Sequence, residues 1–139
     1  MLSTLYSVGL HGLDGYLIET EVDVSPGLPS FVVVGLPDEA VRESRDRVKS
    51  ALINSGYSVP PKRITVNLAP ADTKKEGPSF DLPIALGILA STGQLNAQRL
   101  KDFAFAGELA LQGNLRPTKG VLPIAIALRK SSRLKLLEM

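Results

Sequence analysis

Cysteine and tryptophan are absent from this 139-residue chain, and histidine occurs once. Without cysteine there can be neither a disulfide nor a thiolate metal site, and that usage fits a reducing, cytoplasmic setting. The one histidine, His11, has Gly9 and Gly12 close by and reads as a turn residue; alone, it supplies no metal ligand set. The N-terminus has no positively charged segment, and Gly9 and Gly12 interrupt its apolar stretch, so neither a signal peptide nor a membrane span is expected. No Walker A sequence occurs, which leaves the chain without a recognisable ATP site or any other cofactor motif. Basic residues are missing from the first 41 positions, which hold six acids: Asp14, Glu19, Glu21, Asp23, Asp38 and Glu39. The remainder carries all 16 bases against eight acids, so a net charge of only +2 conceals an acidic segment and a basic one.

A chain of this length is one domain, able to bury roughly 68–70% of its unfolded surface. Leu5 to Leu10 reads as a first strand, followed by a tight turn at Gly12-Leu13-Asp14-Gly15. Ile18, Thr20, Val22 and Val24 then alternate with Glu19, Glu21 and Asp23, the pattern of a half-buried strand with a carboxylate row on its outer face. Phe31 to Val34 is a continuous apolar strand expected to be buried on both faces. Asp38 is placed as the cap of a helix from about Glu39 to Ser55, ended by Gly56. Val41, Ser44, Val48, Ala51 and Leu52 form its inner stripe, with Glu43–Arg47 and Arg42–Asp46 pairs outside. Ile64 to Leu68 alternates as another strand. Phe103 to Leu111 is predicted as a strand turning at Gln112-Gly113-Asn114 into Leu115-Arg116-Pro117, a hairpin. Val121 to Leu128 is a third helix, and Leu134 to Leu137 a last strand.

The most informative stretch runs from Lys74 to Pro83, with the apolar run Ile84 to Ala90 behind it. It begins as a charged Gly-Pro loop and becomes a helix with no polar face, which belongs inside the domain. Pro83 is tolerated only in a first turn, so the helix starts at about Phe80 to Leu82, with Ser79 or Asp81 as its N-cap and Gly93 beyond its end. Ser79 thus lies at the mouth of a buried helix, where free N–H groups favour an anion. A nucleophilic serine could be built there, although an ordinary capped helix puts a serine in the same place.

Two blocks resemble known sequences. Lys75-Glu76-Gly77-Pro78-Ser79 is similar to the serine block of the Lon protease domain, and Gly107-Glu108-Leu109-Ala110-Leu111-Gln112-Gly113, with Pro117 and Gly120, to its second block. A closer resemblance is to the ComM/YifB family of magnesium-chelatase-like AAA+ proteins. Val33 to Asp38, Arg42 to Arg45, Pro61 to Asp72 and Phe80 to Leu86 carry it, so it covers almost the whole chain. The resemblance implies an α+β domain of the ribosomal-protein-S5-domain-2 (Lon-like) type, a mixed sheet with about three helices. In that family it is normally followed by an ATPase module, with its ATP and Mg²⁺, that this chain lacks.

The Lon pattern breaks at its general base. A serine hydroxyl needs a neighbouring group to take its proton, and Lon-type sites use lysine. Counted from Gly107 without gaps, that lysine falls on Leu122, which accepts no proton; Lys119 lies three residues earlier. The family resemblance therefore implies a catalytically silent N-terminal domain of a hexameric DNA motor linked to branch migration, recombination and natural transformation. Its share would be ring assembly and contact with DNA that ignores sequence. Lys62, Arg63, Lys74, Lys75, Arg116 and Lys119 are the candidate phosphate contacts, and Glu19, Glu21 and Asp23 the candidate assembly row. Two other classes stay open: a Ser-Lys peptidase using Ser79 and Lys119, and a metal-chelatase subunit.

Overall fold

The computed structural model describes residues 1–11, 14–70, 75, 78–117 and 135–137; for His11, Pro78 and residues 135–137 it describes the backbone alone. The architecture starts from one long hairpin. Strands β1 (Leu2–His11) and β2 (Asp14–Ser25) pair antiparallel along their length, from Leu2 opposite Asp23 to His11 opposite Asp14. On β2, Ile18, Thr20 and Val22 are fully buried and Glu19, Glu21 and Asp23 face the other way, as the alternation predicts. His11 ends β1, and the expected turn is shorter than four residues because Asp14 and Gly15 already belong to β2; Gly12 and Leu13 lie outside the described residues.

Strands are added to both sides of this hairpin. β4 (Arg63–Ala69) pairs antiparallel with β2, and β3 (Ser30–Val34) pairs parallel with β4 at one edge. β5 (Phe103–Phe105) runs parallel to β1, and β8 (Lys135–Leu137) parallel to β5, giving a mixed sheet in the order β3-β4-β2-β1-β5-β8. Two α-helices are present among the described residues, α1 (Asp38–Asn54) and α2 (Asp81–Ser91); the predicted third helix lies outside them.

α2 is the core element. Nine of its 11 residues are buried, so the absence of a polar face was a true sign of enclosure. It sits unusually close to β1 and β2 because residue 87 is glycine: a Cβ there would lie 2.4 Å from Val22 Cγ2. Small hydroxyls seal the same seam. Ser3 Oγ donates to the Gly87 carbonyl (2.8 Å) and lies 2.8 Å from Ser91 Oγ, which donates to the Val22 carbonyl (2.9 Å). Both helices end alike, the N–H of Gly56 and of Gly93 bonding the carbonyl three residues back and the following residue reaching five back. Gly56 (φ 89°) and Gly93 (φ 73°) supply the left-handed residue that this ending needs.

Four expectations need correction. The residue flanking α1 is Pro37, with Asp38 already in the first turn making no cap bond; proline suits a position whose N–H would go unpaired. Val32 and Val34 stand 48% and 49% exposed, so β3 is buried on one face only; it is an edge strand, and the helices cover a single face of the sheet there. Residues 103–111 are not one strand. The chain leaves the sheet at Ala106-Gly107 and resumes as β6 (Glu108–Leu109), which pairs with β7 (Leu115–Arg116) in a separate two-stranded ribbon. Arg42 and Asp46 form no ion pair, and Arg47, which keeps Glu43 at 3.8 Å, turns chiefly inward.

Candidate functional site

The region around Ser79 is built by the junction between β4 and α2. Pro78–Phe80 forms one turn of 3₁₀-helix, so Ser79 is inside a turn rather than capping α2, and no side-chain cap bond is present at this helix start. The flanking position is Phe80, wholly buried in the core. Gly107 fastens the turn from the other side: its N–H donates to the Ser79 carbonyl (2.8 Å), and its own carbonyl accepts from Leu82 N–H (3.0 Å). One of the free donors of the α2 N-terminus is thereby used within the fold. This also explains the break in the strand at 106–107, since the backbone of Gly107 is committed to α2 and not to the sheet. A side chain would not fit there, because a Cβ on Gly107 would lie 2.8 Å from Leu115 Cδ2.

The anion at this helix mouth is the chain's own. Asp81, offered by the sequence as a second cap, is fully buried in the first turn of α2 and accepts four bonds. Arg47 Nε (2.6 Å) and Nη2 (3.1 Å) grip it in a two-pronged pair, Ser44 Oγ donates at 2.8 Å, and Leu109 N–H at 3.1 Å. Burial pushes the Asp81 carboxyl above its ordinary pKa, with Arg47, Leu109 N–H and Ser44 pulling it back. The hydrogen bonds it donates to Asp81 raise the Arg47 guanidinium above its usual value, against the desolvation that lowers it. Three elements, α1, α2 and β6, thus meet on one carboxylate. The sequence held a sign of this: Ser44, Arg47, Val48 and Ala51 follow helical spacing, which puts Arg47 on the border of the buried stripe.

The candidate cations do not form one patch. Lys75 is 3% exposed, its ammonium donates to the Pro70 carbonyl, and its stem passes under Gly35, where an added Cβ would meet Lys75 Cδ at 3.4 Å. It is a buried residue and not the exposed loop cation expected. Lys62 and Arg63 are exposed but stand at the start of β4, about 20 Å of strand away from the Ser79 end. Lys62 borders a cavity of about 330 Å³ with Ser58, Thr92 and Gln94. Arg116 is exposed on β7, with Glu108 at 3.7 Å, beside a groove of about 510 Å³ floored by Leu111, Leu115 and Pro117. Lys74, Lys119 and Leu122 lie outside the described residues. Glu19, Glu21 and Asp23 share the sheet face turned away from α2, with Asn67 Nδ2 donating to Glu21 at 2.9 Å and the N-terminal ammonium 3.7 Å from Asp23. Among the described residues no group of His, Asp and Glu could hold a metal, and no helix is long and apolar enough to cross a membrane.

This mixed-sheet domain, with an apolar helix behind a Lys-Glu-Gly-Pro-Ser sequence, belongs to the family described as subunit ChlI of Mg-chelatase, whose model matches residues 20–137. The chain is 53% identical over 132 residues to competence protein ComM of Haemophilus influenzae, which accounts for 95% of this chain and 26% of that protein. It is 48% identical, over the same shares, to the protein YifB of Escherichia coli, and 42% identical over 129 residues to the protein Rv2897c of Mycobacterium tuberculosis, 93% of this chain and 26% of that one. The chain therefore spans about a quarter of the length of these relatives.

Proposed function

We propose that this chain is the non-catalytic, Lon-like (ribosomal-protein-S5-domain-2-type) N-terminal domain of a ComM-type AAA+ ATPase, serving ring assembly and DNA contact that ignores sequence. The observation that carries the reading is the 53% identity to ComM across 95% of the chain. In this reading ATP and Mg²⁺ belong to the ATPase module of the longer protein, a cytoplasmic hexamer that moves DNA branches. A silent serine is supported by two features: Leu122 stands where the Lon pattern has its base, and the carbonyl of Ser79 is bonded to Gly107 as part of the helix start. Ser79→Ala should leave every activity of the longer protein intact and cost under about 1 kcal/mol, since no cap bond is lost. Cleavage of an unfolded protein substrate that vanishes in Ser79→Ala would instead establish the Ser-Lys peptidase.

DNA contact falls to the exposed cations, Lys62 and Arg63 at one end of β4 and Arg116 on the hairpin. With about three phosphates neutralised, the log–log salt slope of binding should be near −2.7, equal for unrelated sequences. Lys62→Glu with Arg63→Glu should abolish most of it, whereas Lys75→Gln should leave the slope unchanged because the buried ammonium meets no phosphate. Binding that persists in the double charge reversal, or that does not vary with salt, overturns this assignment.

Assembly is assigned to the acidic row on the sheet face turned away from α2. Reversing Glu19, Glu21 and Asp23 to lysine should weaken ring formation by the longer protein, with the wild-type contact itself weakening as salt rises. Exposed pairs are each worth about 0–1 kcal/mol, so they set register and encounter rate more than affinity. Unchanged sedimentation of the triple mutant would remove the row from the interface.

A further inference from the structure

β3 is the outermost strand at one end of the sheet, and among the described residues nothing pairs with its far edge. Ser30 N–H donates to the Lys62 carbonyl, and with Ser30 opposite Arg63 the parallel register directs the backbone groups of Ser30, Val32 and Val34 toward β4. The N–H and C=O of Phe31 and Val33 therefore point away from the sheet, two donors and two acceptors in a row. Edge strands in soluble proteins are normally blunted by charge, by an internal proline or by a bulge. Ser30-Phe31-Val32-Val33-Val34 has none of these, and beyond the uncharged Ser30 its exposed side chains, Val32 and Val34, are apolar.

We infer that the β3 edge pairs with β3 of a second copy of this chain, antiparallel about a two-fold axis at Val32, joining two sheets into one. In that register Phe31 stands opposite Val33 of the partner copy. The outward groups of both strands are then exchanged in two hydrogen-bonded pairs, leaving none of the four on either side unmet. Val32 meets its own symmetry mate on the open face in the close, non-hydrogen-bonded position, an apolar pair of the kind that stabilises a ladder. Self-pairing is the arrangement an uncharged edge favours, because a two-fold axis sets every residue near its own kind and any charge near its like. Within the sheet the nearest acids are on β2, two strands in, so the two rows stand about 24 Å apart, beyond the screening length of about 8–10 Å. The contact is small, so it is weak. It is also insensitive to salt, which separates it from the charged assembly row, and it stands whether or not the DNA reading holds.

Amide hydrogen exchange followed residue by residue between about 50 µM and about 1 mM protein tests this in the range where so small an interface associates. Phe31 and Val33 should gain protection as concentration rises, with Val32 and Val34 protected throughout, and sedimentation should show a dimer unmoved by added salt. Val33→Pro removes one outward donor and Val32→Lys sets like charges face to face. Each should lower dimerisation at least about tenfold. Normal protection of Ile18, Val22 and Ile88 in either variant shows that it remains folded. Exchange at Phe31 and Val33 that does not change with concentration overturns the proposal, as does a dimer that survives both substitutions. Protection that appears only in the longer protein and does not change with concentration would assign the edge to a strand of that protein and equally exclude the second copy.

Discussion

Asp81→Asn is expected to destabilise the chain by about 3 kcal/mol, and Arg47→Met by at least as much. Removing one member of a buried ion pair strands the other, at a cost of about 3–5 kcal/mol where both are enclosed. Here the enclosure is unequal: Asp81 is fully buried, while Arg47 keeps 22% of its side chain in solvent. An orphaned Arg47 can turn toward water; an orphaned Asp81 cannot, which sets the order of the two effects. Urea unfolding of both variants and the double mutant gives the coupling directly. Single losses below about 1 kcal/mol, or a reversed order, would show that the carboxylate is not the joint described. The pH dependence has a definite sign. Burial raises the folded carboxyl above its ordinary 3.8, so the folded chain holds this proton to higher pH than the unfolded one does. The share of stability from Asp81 is full below 3.8 and is lost as pH rises through the raised value. The wild type's advantage over Asp81→Asn should accordingly fall as pH rises through that window, the loss of about 3 kcal/mol being what remains once the carboxylate is ionised and paired with Arg47.

Gly87→Ala should cost about 2 kcal/mol although alanine is the better helix former by about 1 kcal/mol. The added methyl would lie 2.4 Å from Val22 Cγ2, 2.8 Å from Val22 Cβ and 3.3 Å from Leu5 Cδ1. Val22 is fully buried in a central strand bonded on both sides, so it cannot step back. Val22→Ala added to Gly87→Ala should recover part of the loss, making the pair less than additive in thermal or urea unfolding. A stable single mutant would mean that α2 does not ride on the sheet as closely as 2.4 Å implies.

Much of the fold was readable from patterns that report burial locally. The alternation of Ile18 to Val24 gave both faces of β2, the enclosed character of α2 followed from its lack of a polar face, and its start from Pro83. What the sequence could not give was the use of backbone groups by distant partners. Nothing local at Phe103 to Leu111 shows that Gly107 serves Ser79 and Leu82, so the run reads as one strand. A stretch of four apolar residues at 31–34 looks enclosed because periodicity cannot tell a central strand from an edge. Lys75 reads as a loop cation because its burial depends on Gly35, 40 residues upstream, and on the carbonyl of Pro70, neither of which marks it in the local pattern. Asp81 was legible as a helix-start residue, but its partners are 34 and 37 residues upstream and 28 downstream, so its role became visible only in three dimensions.

The order of strands in the sheet bears on how the chain is made. Its middle, β1 and β2, leaves the ribosome before the strands that flank it, and the helix that covers Ile18, Val22 and Leu5 ends at Ser91, 66 residues after β2. At about 5–20 residues per second, the nascent hairpin waits roughly 3–13 s with its apolar side uncovered. A two-stranded ribbon is only marginally stable alone, so for that interval the growing chain is a natural client for a holding chaperone.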